Sequence, residues 1–287
     1  MDKSWTVLEV LRWTSDHFHR QGIDSPRRDA ELLLGAALSF DRVGVYVNFD
    51  RPLVREELDR IRTLVARRAR REPLQYILEE TEFWSLPFRV TPAVLIPRPE
   101  TEILVEEALK RAAPEAAILD LGTGSGAVAV ALARELPGAV VTAMDISRQA
   151  LAVAAENACR NGVGERLRWL NRDFGEPFPG EFDLIVSNPP YVQQGELEGL
   201  MPEVRDHEPH VALIGGQDGL DAIRAILRTA PSALRAGGWL LLEIGHGQGE
   251  QVAAMFTAAG FTETFLRQDL ARIPRVVGGK KPGGLNE

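Results

Sequence analysis

The chain has 287 residues, 45% hydrophobic and 26% charged, an ordinary globular composition long enough for one large core or two smaller ones. A net charge of -8, most of it after Ser85, argues against a nucleic-acid backbone as the main partner, because such enzymes carry a basic footprint. No stretch approaches the ~18 apolar residues of a membrane span, Met1-Asp2-Lys3 opens no secretion signal, and the single cysteine, Cys159, excludes an internal disulfide, so a cytoplasmic protein without a membrane is expected.

Residues 1–73 alternate between helical patterns and short breaks. Val7, Leu8, Leu11 and Trp13 mark one apolar stripe, Ala30 to Leu38 a second helix introduced by Ser25-Pro26, and Leu58, Ile61, Leu64 and Val65 a third. The spacing predicts a small helical bundle with no catalytic pattern of its own. Arg60, Arg62, Arg67, Arg68, Arg70 and Arg71 form a basic run, read as the solvated face and last turns of a helix, with a contact surface for an acidic partner as the alternative.

Residues 74–100 read as a β-hairpin linker and a stiff loop. Glu82 to Val90 is extended and aromatic, and Pro92, Pro97 and Pro99 exclude regular helix or central strand. Thr101 is expected to cap a helix running from Glu102 to Ala112. Residues 101–287 then repeat strand, loop and helix. The strands are placed at Ala116–Leu121, Ala139–Asp145, Leu167–Leu170, Phe182–Ser187 and Trp239–Ile244, with helices at Val128–Glu135 and Ala150–Asn161. Cys159 falls in the last of these and reads as a packing residue. The alternation predicts an α/β fold with a mainly parallel, Rossmann-like sheet, to which Phe261–Leu266 and Arg275–Val277 add an antiparallel hairpin at the edge.

The first strand turns into a helix through Asp120-Leu121-Gly122-Thr123-Gly124-Ser125-Gly126. Glycines let a ligand approach the backbone, but a glycine loop alone is a weak signal, and a tight turn without ligand stays open. The spacing G-x-G-x-G after an acid is less suited to a pyrophosphate than G-x-G-x-x-G. Asp145 ends the second strand and can accept from both hydroxyls of a ribose, or it caps the helix after Ser147. Asp173 and Phe174 follow the third strand; the carboxylate can take an adenine amino group and the ring can cover the base, or they are a turn acid beside a core aromatic.

Asn188-Pro189-Pro190-Tyr191 follows the strand Phe182–Ser187. The nitrogen of an amide or aromatic amine is a poor nucleophile, because its lone pair is delocalised. An enzyme helps by accepting hydrogen bonds from both N–H groups. Asn188 offers a side-chain carbonyl and Pro189 a backbone carbonyl, two prolines stiffen the turn, and Tyr191 can pack on a flat group. Together with the glycine loop this implies methyl transfer from S-adenosylmethionine to a planar NH2 group, giving S-adenosyl-L-homocysteine, with no metal. A flipped adenine or guanine would suit the tetrapeptide as well as an amide does. His207 and His210 read as a solvated loop.

Glu82-Phe83-Trp84, Leu95-Ile96-Pro97-Arg98-Pro99-Glu100-Thr101-Glu102, Asp120 to Gly126, Ser187 to Tyr191, Gly215-Gly216 with Asp218-Gly219-Leu220, and Leu242-Glu243-Ile244-Gly245 together resemble the HemK/PrmC family, the peptide-chain release factor glutamine N5-methyltransferases. The resemblance covers nearly the whole chain. It implies a class I methyltransferase domain that holds S-adenosylmethionine against Gly122, Thr123, Gly124, Ser125, Gly126, Asp145, Asp173, Phe174 and Asn188. It further implies a substrate glutamine held by Asn188, Pro189, Pro190 and Tyr191, with Asn188 and Pro189 as the catalytic acceptors. Many relatives have tryptophan where this chain has Phe174, which keeps the aromatic face without the indole donor. The implied partners are class 1 release factors, modified in their Gly-Gly-Gln motif and gripped in part by the N-terminal bundle of a monomeric enzyme. Gly215-Gly216-Gln217 of this chain is read as a coincidence with that motif. Arg98 is left with two readings, a wall over the cofactor or a salt bridge locking the linker.

Overall fold

The fold is given by a computed structural model describing residues 5–283, which divide into two units. The first runs to Glu79 and also takes in Met201–His207. Its helices are α1 (Val7–Arg20), α2 (Pro26–Leu38), α3 (Arg42–Val47), α4 (Arg55–Ala69) and α5 (Leu74–Leu78). Thr6 and Glu9 open α1 with a capping box, each accepting the other's backbone N–H. Val7, Leu11, Phe18, Leu33, Leu34, Ile61 and Val65 meet in one core, and burial of each such side chain contributes about 1.5–3 kcal/mol. Trp13 departs from the expected stripe and stands 48% exposed, stacked on His17.

The basic run departs from the expected solvated face at one position. Arg68 is buried, donating to Asp29 at 2.7 Å and to Glu203 at 3.0 Å, while Arg71 meets the other oxygen of Glu203 at 2.7 Å. A guanidinium tolerates burial because its fork meets two carboxylates at once. Arg62 and Arg67 pair locally with Asp59 and Glu72.

The second unit begins with the hairpin β1 (Glu80–Phe83) and β2 (Leu86–Arg89). Its turn residues Trp84 and Ser85 both have φ of 54°, the geometry of a primed two-residue turn. Two bonds hold that unfavoured conformation, from the Trp84 amide to Glu102 and from its indole to Glu135, each 2.8 Å. After a 3-10 turn at Pro99–Thr101 come α6 (Glu102–Leu109), β3 (Ala117–Leu121), α7 (Ala127–Glu135), β4 (Val140–Asp145), α8 (Arg148–Arg160), β5 (Leu167–Asn171) and β6 (Phe182–Ser187). The chain continues through α9 (Pro202–Arg205), which belongs to the helical unit, then α10 (Asp221–Ala233), β7 (Leu234–Glu243), α11 (Gly249–Ala258), β8 (Thr262–Gln268) and β9 (Pro274–Lys280).

Seven strands form one sheet in the order β5-β4-β3-β6-β7-β9-β8. The first five are parallel, and β9 and β8 add antiparallel at one edge, as expected. Successive residues face opposite sides. Ile118, Leu184, Val186 and Leu241 pack with α6 and α7, whereas Leu119, Leu121, Ile185, Leu240 and Leu242 pack with α10 and α11. Both faces are therefore apolar, and the strands read as near-continuous hydrophobic runs. Cys159, expected to pack, is exposed on α8 because its neighbours Asn157 and Ala158 take the buried face.

Candidate active site

The strand order reverses between β3 and β6, the position where open α/β sheets bind ligands beyond their carboxyl ends. A cavity of about 430 Å³ lies there, within the ordinary range for small-ligand sites. It is lined by Gly122, Thr123, Gly124, Ser125, Asp145, Asp173, Phe174, Asn188 and Pro190, with Thr101 and Asp120. Leu95, Pro97, Val128, Val211 and Ile214 supply apolar wall. Gly126, Pro189 and Tyr191 are not among the lining residues.

The glycine loop is held from beneath by β4. The amides of Gly122 and Thr123 both donate to the Met144 carbonyl, and the Gly124 amide donates to Asp145 at 2.9 Å. Gly126 serves the helix instead of the cavity. It caps α7 at a φ of 81°, and a Cβ there would stand 3.0 Å from the Ala154 methyl. Asn157, fully buried on α8, donates to the Ser125 and Arg89 carbonyls and accepts from the Arg89 amide, tying the loop to the hairpin.

Asp120 is buried and pushed up to about 7, chiefly by loss of solvent, with the Thr123 hydroxyl at 2.7 Å opposing and the charge of Asp145 adding. Burial also raises Asp145, against the Ser147 and Gly124 amides that donate to it. Ser147, not Asp145, caps α8. Asp173 accepts from the Gly175 amide at 2.7 Å in an Asx turn, and Phe174 is held by a 2.8 Å bond from Thr229 to its carbonyl. The Phe174 ring edge lies 4.0 Å from where a Cβ on Gly122 would stand, so bare backbone faces the ring.

At the other end of the cavity the Asn188 amide nitrogen donates to the Thr101 hydroxyl at 3.1 Å. Thr101 was expected to cap α6; the chain instead enters that helix through a 3-10 turn, the residue has helical backbone angles, and its hydroxyl makes no cap. Pro189 is buried. Tyr191 turns away from the cavity, its hydroxyl 3.4 Å from Glu243, and burial together with the Glu243 charge raises its phenol. Two glycines let the following loop press on this turn. A Cβ on Gly215 would meet the Pro190 carbonyl at 2.5 Å, and one on Gly219 the Tyr191 carbonyl at 2.3 Å. Gln248 donates to the Tyr191 and Gly219 carbonyls and locks both segments.

Arg98 lines the cavity and forms the salt bridge of its second reading, with Glu208, which accepts from the Ile96 amide as well. Burial raises Glu208 and the Arg98 charge opposes it. Asn157, Gln248 and Glu243 escaped the sequence reading. Only Glu243 left a signal, an acid closing the apolar run from Trp239 to Leu242.

Residues 9–78 match the model of the PrmC N-terminal domain, and residues 99–203 match the methyltransferase small domain. The release factor glutamine methyltransferase of Geobacter sulfurreducens is 53% identical over 277 residues, covering 96% of this chain and 97% of that protein. The protein of the same name from Cereibacter sphaeroides is 46% identical over 96% of this chain and 99% of its own length. Among solved structures, a methyltransferase from Pyrococcus furiosus superposes with a TM-score of 0.51 at 19% identity, over 69% of this chain and 90% of its own, a likeness of fold. The family models and the relatives agree, and the chain belongs to the HemK/PrmC family of release factor glutamine methyltransferases.

Proposed function

We propose that the chain transfers a methyl group from S-adenosylmethionine to the side-chain amide nitrogen of the glutamine in the Gly-Gly-Gln motif of class 1 peptide chain release factors. The observation that carries this reading is that one cavity gathers Asn188 and Pro190 with the glycine loop, Asp145 and Phe174. The residues present fit the cofactor. Backbone-only glycines admit a close ligand, Asp145 offers acceptor lone pairs for a diol, and Phe174 offers a flat apolar face.

S-adenosylmethionine, when bound, supplies an electrophilic methyl group on a sulfonium. The chain's own task is orientation. Asn188 gives its N–H to Thr101, which leaves Oδ1 to accept from the substrate amide. That bond and one to the Pro189 carbonyl draw the nitrogen toward tetrahedral geometry and aim its lone pair. With the cofactor bound, its sulfonium would supply the methyl carbon and keep the carbon–sulfur bonding pair, while Asn188 and Pro189 would hold the nitrogen in place as it loses one proton. The buried Pro189 and the braces from Gly215, Gly219 and Gln248 keep the acceptors from moving with the reaction.

The helical unit is assigned to gripping the release factor. In support, a groove of about 410 Å³ on that unit is lined by Trp5, Trp13, His17, Leu58 and Arg62. Tritiated-methyl transfer onto purified release factors, with and without the acceptor glutamine, tests the whole reading. Asn188→Ala is expected to abolish transfer while cofactor affinity stays within about threefold, the pattern of an interaction made only in the transition state. Label entering an oligonucleotide in place of the release factor would overturn the assignment.

A further inference from the structure

Beside Asn188 lies a set of polar groups of which the reaction as described uses only Thr101. Thr101 is 4% exposed and receives the Asn188 N–H at 3.1 Å. Its own hydroxyl hydrogen needs an acceptor. Glu243, 2% exposed at the end of β7, lies beside Thr101, whose hydroxyl opposes the rise of its carboxyl, and its buried Oε2 has no hydrogen-bond partner among the described residues. Its Oε1 receives the Tyr191 hydroxyl at 3.4 Å. Four groups from three separate stretches of chain thus lie in one line from Asn188 past Thr101 to Glu243 and back to Tyr191.

An amide's two ends are nearly the same shape but opposite in polarity, so shape alone does not decide which end of Asn188 faces the cavity. The Thr101 hydroxyl decides it, and a hydroxyl can give or receive. An ionised carboxylate only accepts. With such a group behind it, Thr101 must donate to Glu243 and is left to accept from Asn188. The amide nitrogen is then used internally and the carbonyl is turned toward the substrate. With a neutral acid or an amide behind it, Thr101 can receive from that side and donate to Asn188. The side chain then reverses and sets its NH2 against the substrate's own NH2, donor against donor.

We propose that Glu243, acting through Thr101, is a positioning residue that fixes which end of the Asn188 amide faces the substrate. This rests on the function proposed above, in which Asn188 Oδ1 accepts from the acceptor nitrogen. Burial pushes Glu243 up to about 7, and the Glu100 charge pushes the same way, while the Thr101 and Tyr191 hydroxyls and Arg275 oppose. Arg275 is itself paired with Asp269 at 2.9 Å, and Arg98 acts on Tyr191 from the linker. The device therefore switches within the physiological range, and turnover should fall as pH drops below about 7.

The test measures kcat, KM for a class 1 release factor and the dissociation constant for S-adenosylmethionine in the full chain and four variants. Glu243→Gln, nearly isosteric, and Thr101→Val should each lower kcat by about 10²-fold, the scale of one misplaced transition-state partner. Cofactor affinity should hold in both, and Thr101→Ser should restore kcat. The acid limb of the wild-type kcat profile should vanish in Glu243→Gln. Near-normal kcat in Glu243→Gln or Thr101→Val, or an unchanged acid limb in the former, overturns the inference. If Glu243→Gln does not fold, the contrast between Thr101→Val and Thr101→Ser decides alone. Asn188→Ala separates the two layers. Its inactivity beside a normal Glu243→Gln sinks only the positioning role, whereas its activity sinks the reading of the site itself.

Discussion

Asp120 is an acid inside an apolar strand, and its environment makes it titrate near 7 instead of in the usual carboxylate range. The folded chain thus holds this proton more tightly than the unfolded chain does. The resulting stability is fully present below the ordinary carboxylate pKa and is lost as pH rises through about 7. Asp120→Asn should remove that slope, so that its Tm gains on the wild type between pH 4 and pH 8 in a thermal melt series. Trp13 belongs to the same scale. It is a large apolar side chain left 48% exposed in a groove. Truncation of such an anchor at an interface typically costs more than about 1 kcal/mol. Trp13→Ala should raise KM for the release factor about tenfold and leave kcat and cofactor affinity unchanged in steady-state assays. The place of Asn188 in the cavity was legible in the sequence, because its motif follows a strand that ends at the carboxyl edge of the sheet. Thr101 was misread because a threonine before a helix looks like a cap, and only the fold reveals that β6 brings a better partner to it. Burial of Arg68 was hidden for the same reason, since Asp29 and Glu203 lie far away along the chain.

At the scale of elements, the apolar runs located the inner parallel strands, because a strand covered by helices on both faces reads as a near-continuous hydrophobic run, whereas β5 at the sheet edge is largely exposed. The antiparallel edge was also legible as a pair. The insertion of β9 between β7 and β8 was not, because pairing order depends on contacts distant in sequence. The joints between elements were the least legible part. Asn157 is an ordinary polar residue in a helical pattern, yet it makes three bonds, the one to Ser125 buried, that join α8, β2 and the glycine loop. Asn157→Ala would orphan an amide and two carbonyls, each with a desolvation cost. We expect a loss of about 2–3 kcal/mol in urea unfolding, with weaker cofactor binding because Ser125 loses its anchor. Gly219 offers a complementary case. It has a φ of 75° and no room for a Cβ against the Tyr191 carbonyl. Gly219→Ala should displace the proline turn and depress kcat well before it affects cofactor affinity.

Over the whole molecule, the chain passes from the helical unit into the sheet unit, returns for Met201–His207, and leaves again. The returning segment brings Glu203 to Arg68 and Arg71. Burial pushes Glu203 up, but the two guanidiniums outweigh it and its acidity is strengthened. Its contribution is therefore present above the ordinary carboxylate pKa and fades as pH falls through the lowered value. Glu203→Ala should cost the helical unit about 2 kcal/mol at neutral pH, read by hydrogen exchange on α2 and α4, and less in acid. Nothing in composition or periodicity marks seven residues as owing allegiance elsewhere, and this division was not legible in the sequence. A gene severed after Glu79 would accordingly yield two incomplete products. The shorter would keep Asp29 beside Arg68 but leave Arg71 without its carboxylate, and the longer would carry Glu203 with neither guanidinium to answer it.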